Sequence, residues 1–151
     1  MAITTFILDH HKKRLRTCAR LLLRQKGIQL AGELQNEREA IVLIGRLKPH
    51  VLVLGLSLSL VSTKRLLLSL RRKSPRTKVI LLTGGASQTR VLESLAYGAV
   101  GYIDDRVLAT FLPKAIRSVH AGEGWIPRKM VGQILDRIMH ASSSRRRLSR
   151  S

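Results

Sequence analysis

Six apolar residues, Val51 to Leu56, follow Pro49 without any polar alternation and give way to a serine-rich turn. A run of this kind reads as a strand covered on both faces. Such strands belong to parallel sheets with helices on either side. Ligands and chemistry in open parallel sheets gather just beyond the C-terminal ends of the strands, and at that end of this run stands Gly55. A glycine offers no side chain there.

The rest of the chain alternates strand and helix. Ile3–Leu8 is a β-rich run ending at Asp9-His10-His11, and positions 12–26 carry Leu15, Cys18, Ala19, Leu22 and Leu23 at helical spacing. Gly27 closes that helix. Ile28–Glu33 reads as the second strand, and Asn36 as the N-cap of a helix through Arg46 with Ala40, Ile41, Ile44 and Leu47 inward. Pro49 stops it and opens the central strand. A third helix covers Thr63–Arg72 and ends by Pro75. Lys78–Thr83 is a fourth strand, followed by Gly84-Gly85 and a helix over Ser87–Tyr97 that Gly98 caps. Ala99–Ile103 makes a fifth strand and Leu108–Ala121 a fifth helix. Five strand-helix units in strict alternation predict a right-handed, doubly wound α/β fold on a parallel sheet.

A chain of 151 residues has room for one ordinary domain. Beyond Gly122 a sixth helix starts near Pro127, outside the five-unit pattern, with Met130, Ile134, Leu135 and Ile138 on one apolar face. The stretch 142–151, SSSRRRLSRS, has no periodicity and reads as a flexible basic tail.

Twenty-eight lysines and arginines stand against nine acids, a formal charge of +19. Self-repulsion on that scale favours a polyanionic neighbour, most commonly nucleic acid. The plainer reading is a set of solvated helix faces in a basic proteome. The cations cluster at Lys12, Lys13, Arg14, Arg16, Arg20 and Arg24, at Lys64, Arg65, Arg71, Arg72, Lys73, Arg76 and Lys78, and at Arg145, Arg146, Arg147 and Arg150. The first two groups are expected on the outer faces of two helices, as auxiliary phosphate contacts. Aromatics, at 3%, are too sparse for base stacking on a single strand. The one cysteine, Cys18, excludes an intrachain disulfide and fits a reducing compartment. No stretch suits a membrane span or a secretory signal, so a cytoplasmic protein is expected.

Asp9-His10 after the first strand, Thr83 and small residues after the fourth, and Gly101-Tyr102 in the fifth closely resemble a bacterial response-regulator receiver domain over residues 3–122. The string GEGWIPRKMV resembles the extension that follows the receiver in LuxR-type (NarL/FixJ) transcription regulators. The resemblance implies a flavodoxin/CheY-like sheet of strand order 2-1-3-4-5, a receiver over 1–122 and a linker helix over 123–141. It also implies a basic tail over 142–151 leading to a helix-turn-helix domain, because Leu148-Ser149-Arg150 is similar to the entry of that domain.

The departures from the family are informative. Its acceptor aspartate corresponds to Gly55, its acidic pair to Asp9 and His10, and its phosphate-contacting lysine to Asp105; Thr83 and the switch aromatic Tyr102 are kept. Glycine cannot form an acyl phosphate. Magnesium loses two of three carboxylates. Asp105 would repel a phosphoryl group. The expectation is therefore no catalytic residue, no bound metal and no cofactor. Asp9, His10, His11, Asp104 and Asp105 suit a transition metal by chemistry, yet read more simply as remnants of an acidic pocket. Gly84-Gly85 could offer backbone N–H groups to an anion, or simply let the loop pass close to the pocket.

The reading that follows is a phosphorylation-independent regulatory domain of a LuxR-type DNA-binding regulator. It would pair as a homodimer through the fourth helix, fifth strand and fifth helix, or through the first and fifth helices, and bind DNA through a C-terminal domain not contained in this chain. The alternative is a stand-alone basic module that binds nucleic acid or an acidic protein partner directly.

Overall fold

The computed structural model describes residues 2–56, 59–128, 130–137 and 139–140. The expected tail cations Arg145, Arg146, Arg147 and Arg150, the motif Leu148-Ser149-Arg150, and Ile138 lie outside the described residues. Five strands, β1 (Ile3–Leu8), β2 (Ile28–Leu34), β3 (Val51–Gly55), β4 (Lys78–Leu82) and β5 (Gly101–Ile103), form one sheet in the order β2-β1-β3-β4-β5. Every adjacent pair is parallel. Between and after them run α1 (Lys12–Leu23), α2 (Glu37–Leu47), α3 (Leu60–Lys73), α4 (Gln88–Ala96) and α5 (Leu108–His120), the last preceded by a 3-10 turn at Asp105–Val107.

β3 is buried at all of its positions, as its unbroken apolar composition requires. Its side chains divide by the two-residue period of a strand. Leu52 and Leu54 enter one core cluster with Leu66, Leu81 and Leu95, while Val51 and Val53 enter a second with Leu15, Leu22, Leu112 and Ile116. Asn36 caps α2 by accepting a hydrogen bond from Arg38 N, and Ser59 and Ser87 cap α3 and α4 in the same way.

Four expectations about the first two helices fail. Leu23 is 71% exposed and Leu47 46% exposed, because each is the last residue of its helix and the wheel has turned past the sheet there. α1 stops at Leu23 with Arg24 as its C-cap, so Gly27, at φ +80°, serves the turn into β2 instead of the helix end. Arg14, expected on the outer face of α1, is buried.

The segment after α5 is built onto the sheet. Trp125 bridges to Gly101, its carbonyl accepts from Tyr102 N at 3.1 Å and its own N–H donates to Val100 O at 3.0 Å. A Cβ on Gly101 would lie 2.9 Å from that of Trp125, which explains the glycine. A sixth helix, α6, follows at positions 128, 130–137 and 139–140. Met130 is buried against the α3/α4 cluster and Ile134 packs beside it, but Leu135 is 55% exposed and so falls outside the expected apolar face. No helix among the described residues is long and apolar enough to cross a membrane.

Cys18 is fully buried, and burial pushes its thiol up to about 12. Iodoacetamide at about pH 8 should leave the native chain unmodified and alkylate Cys18 completely in urea. Rapid labelling of the folded chain by intact mass would contradict the described packing of α1.

Candidate functional site

The C-terminal ends of β1, β3 and β4 surround one buried ion cluster. Asp9, one residue past β1, is 1% exposed. Its Oδ1 accepts from His11 N at 2.9 Å, which tightens the turn into α1, and His11 Nδ1 in turn accepts from Arg14 N at 3.4 Å as the helix cap. Helical side chains lean toward the helix N-terminus. From the first turn of α1, Arg14 therefore reaches back over Asp9.

The Arg14 guanidinium meets Asp9 side-on, with Nε 2.5 Å from Oδ2 and Nη2 2.9 Å from Oδ1, the two-pronged geometry that arginine makes with a carboxylate. Its Nη1 lies 3.0 Å from Oδ2 of Asp105, which arrives from the turn after β5. One cation thus joins two acids brought together by the fold. Burial by itself would lower the arginine pKa, but the hydrogen bonds and charges of Asp9 and Asp105 outweigh it and hold the group raised. Arg14 is a permanent cation.

Two glycines leave it room. A Cβ at Gly55 would overlap Oδ1 and Cγ of Asp9 and stand 2.6 Å from Arg14 Nη2. A Cβ at Gly84 would overlap Arg14 Nη1, and Gly84 also has φ +44°. Within the Gly84-Gly85 turn it is Gly84 that approaches the pocket closely, while a Cβ on Gly85 would meet nothing within 4 Å.

The sequence-derived residues divide. Asp9, Gly55 and Asp105 are brought together around Arg14, and Thr83 is buried beside them in the fold, its Oγ1 donating to Ile103 O at 3.5 Å. His10 is exposed, and its carbonyl accepts from Gln35 Nε2. Tyr102 is half-buried and donates its hydroxyl to Met130 Sδ at 3.1 Å. Tyr102 is thereby tied to α6.

Sequence reasoning misses Arg14 and places it with the solvated cations. The signal is present, since Arg14, Cys18 and Leu22 fall at i, i+4 and i+8 on the stripe that faces the sheet.

A magnesium ion, which the resemblance implies for this position, does not fit these residues. Both Asp9 oxygens and one of Asp105 are engaged by Arg14, and Gly55 supplies no carboxylate. Among the described residues no group of histidines, cysteines and acids could hold a metal.

A second feature lies between β5 and α5. A groove of about 490 Å³ is lined by Tyr102, Val107, Phe111, Trp125 and Ile126, with the Phe111 and Trp125 rings 5.9 Å apart. Asp104 at its margin forms an ion pair with Arg106 at 2.9 Å, which holds its carboxyl down at about 2. Nearby, Arg137 of α6 reaches Glu93 of α4 at 3.3 Å.

Known proteins share this frame. Residues 5–117 match the family model described as the response regulator receiver domain. The chain is 25% identical over 142 residues to the transcriptional regulatory protein LiaR of Bacillus subtilis, covering 94% of this chain and 67% of LiaR. It is 23% identical over 147 residues to the DNA-binding transcriptional activator DevR/DosR of Mycobacterium tuberculosis, covering 97% of this chain and 68% of that one. It spans about two thirds of the length of such relatives. Among solved structures, the isolated receiver domain of RcsB from Salmonella enterica superposes with a TM-score of 0.75 at 21% identity, covering 89% of this chain and 98% of that one. The response regulator domain of Thermotoga maritima CheB gives 0.67 at 20% identity, with 80% and 98% covered.

Removing one partner of a buried ion pair leaves the other charge stranded, at a cost of about 3–5 kcal/mol. Arg14→Met should therefore destabilise the chain by roughly 3 kcal/mol in urea denaturation. Asp105→Asn should cost well under half of that, because the Asp105 side chain is 36% exposed and solvent screens its share. Equal losses for the two variants would contradict the assignment of Asp9–Arg14 as the dominant pair.

Proposed function

The chain belongs to the response regulator receiver family, and we propose that it is a phosphorylation-independent member whose signalling state is set by its own sequence. The observation that carries this reading is Arg14, held between Asp9 and Asp105 where Gly55 and Gly84 leave space. Phosphotransfer to an aspartate needs a carboxylate nucleophile and a cation that neutralises the incoming phosphoryl oxygens. Here the nucleophile's position is a bare backbone, and the cation is internal and already paired. The domain on this reading is not an enzyme and takes no cofactor.

The equilibrium between the two conformations of a receiver is biased only by a ligand that prefers one of them. A guanidinium locked in the pocket supplies a constant bias. The domain would act as a constitutive cytoplasmic module of a LuxR-type regulator: receiver over 1–122, linker helix over 123–141, basic tail over 142–151 and a DNA-binding domain beyond. The names of the relatives, a transcriptional regulatory protein and a DNA-binding activator, support this reading.

Pairing is assigned to the fourth helix, fifth strand and fifth helix. Tyr102, Phe111 and Trp125 line its groove, and aromatic side chains are the usual anchors of protein interfaces. Glu93, Asp104 and Asp136 give this side acids to set against its cations. Two such domains would hold paired DNA-binding domains over two half-sites.

Incubation with a small-molecule phosphodonor should leave the intact mass unchanged and the sedimentation profile identical with and without donor. A stoichiometric gain of one phosphoryl group would overturn the reading. Phe111→Glu should shift the chain toward monomer in sedimentation while its circular dichroism stays that of the parent, and Lys64→Glu should not; unchanged pairing in the first variant would exclude this face.

A further inference from the structure

We propose that the outer face of α1, together with the adjoining end of α5, is a docking surface for the phosphate backbone of duplex nucleic acid. The inference concerns a different surface from the ion-locked pocket and does not depend on phosphorylation independence.

Lys12, Arg16, Arg20 and Arg24 follow one another at four-residue steps, and all four are exposed. Arg24, the C-cap, keeps near-helical backbone angles and so continues the row. At a rise of about 1.5 Å per residue the row spans about 18 Å. Duplex DNA carries a phosphate about every 3.4 Å of axis on each strand, so the row matches the reach of roughly five phosphates. Lys13 lies beside it, also exposed.

α5 extends the patch. Arg117 donates to Gln25 Oε1 at 3.2 Å and to Lys26 O at 3.0 Å, which fastens α5 to the turn that follows α1. Lys114, one turn earlier on α5, is exposed. Neither helix contains an acidic residue.

This absence is not explained by helix stability. Three cations in the first turn of α1 oppose the helix dipole, which favours acids at that end. Only Arg14 of the three is used by the pocket.

The occupant follows from what the face lacks. No aromatic residue lies on α1, so bases of a single strand would find nothing to stack on. Leu23 is its one strongly exposed apolar side chain, too little to anchor a protein interface or to enter a bilayer. A second copy would set the same row of cations against itself, and juxtaposed like charges cost several kcal/mol. A regular polyanion needs none of these missing features. Its contacts would be sequence-independent, since phosphates position a protein without reading bases.

The other basic helix is built differently. α3 is flanked by α2, which carries Glu37 and Glu39, and by α4, which carries Glu93. Arg71 of α3 donates to Tyr97 O at 3.0 Å and Lys64 lies over the Tyr97 ring, engagements that Arg117 and Lys114, the latter over the Phe111 ring at 5.9 Å, match on α5, so the acids of its neighbours are what set α3 apart.

The test uses the full 151-residue chain and a fluorescent mixed-sequence duplex of about 30 base pairs, read by anisotropy over a salt series. K12Q/R16Q/R20Q should bind at least about tenfold more weakly, and its log–log salt slope should fall by about 2.7, near 0.9 for each phosphate that is no longer neutralised. K64Q/R65Q/R72Q removes the same charge and should stay within about twofold of the parent. Circular dichroism of each variant confirms the fold. Equal losses in the two variants would mean unspecific attraction and overturn the assignment. So would loss confined to R145Q/R146Q/R147Q, absence of salt-dependent binding by the parent, or tighter binding to phosphatidylserine vesicles or polyglutamate than to the duplex. Failure here leaves the phosphodonor result untouched, and the reverse also holds.

Discussion

The contact between the Arg14 guanidinium and the Asp9 carboxylate organises the functional end of this molecule. Asp9 is buried at the mouth of the sheet, and an unpaired carboxylate there would lose several kcal/mol of hydration. Arg14 replaces that hydration with two parallel hydrogen bonds from one planar group. The space it needs is available because Gly55 and Gly84 have no side chains. The three positions are interdependent: an aspartate at 55 would collide with the pair, and without Arg14 the acid and the two glycines would leave a charged hollow. The bare position at the end of β3 and the internal cation are two aspects of one arrangement.

That arrangement also changes what the rest of the surface can do. Here the pocket is closed by its own ion pairs, while Tyr102 on β5 is bonded to Met130 of α6. The segment around Trp125 covers the sheet edge beside β5 by backbone hydrogen bonds, so the region after α5 shares the sheet's hydrogen bonding. Charge is distributed unevenly: α1 and α5 carry cations without acids, whereas the side of α4, β5 and α6 holds Glu93, Asp104 and Asp136.

Much of this is legible in the sequence. β1 can be read to its ends because a β-rich run stops at the polar Asp9-His10-His11, and Asn36 announces α2 by the cap chemistry that the structure displays. The failures are equally local in origin. Spacing turns Leu23 and Leu47 inward, but a helix end projects past the sheet it packs on. Arg14 reads as outward because it stands among Lys12, Lys13 and Arg16, where composition outweighs its place on the Arg14–Cys18–Leu22 line. Periodicity puts Leu135 into the inner face of α6, whereas among the described residues Met130 and Ile134 pack inward and Leu135 is exposed.

From the sequence alone follow the alternation of strands and helices, the parallel sheet and the bare glycine at the end of β3. Each of these depends on residue types within a few positions of one another, where hydrophobic period and cap chemistry act. The partner of Arg14 could not be read in that way, because Asp105 lies 91 residues further along the chain and meets it only when β5 is laid beside β4. Tertiary structure alone decided that the cation is enclosed, that the two glycines flank it and that α6 folds back on Tyr102. Closure over such distances is set by the packing of the whole sheet, and no local pattern encodes which charges it will bring to 3.0 Å of one another.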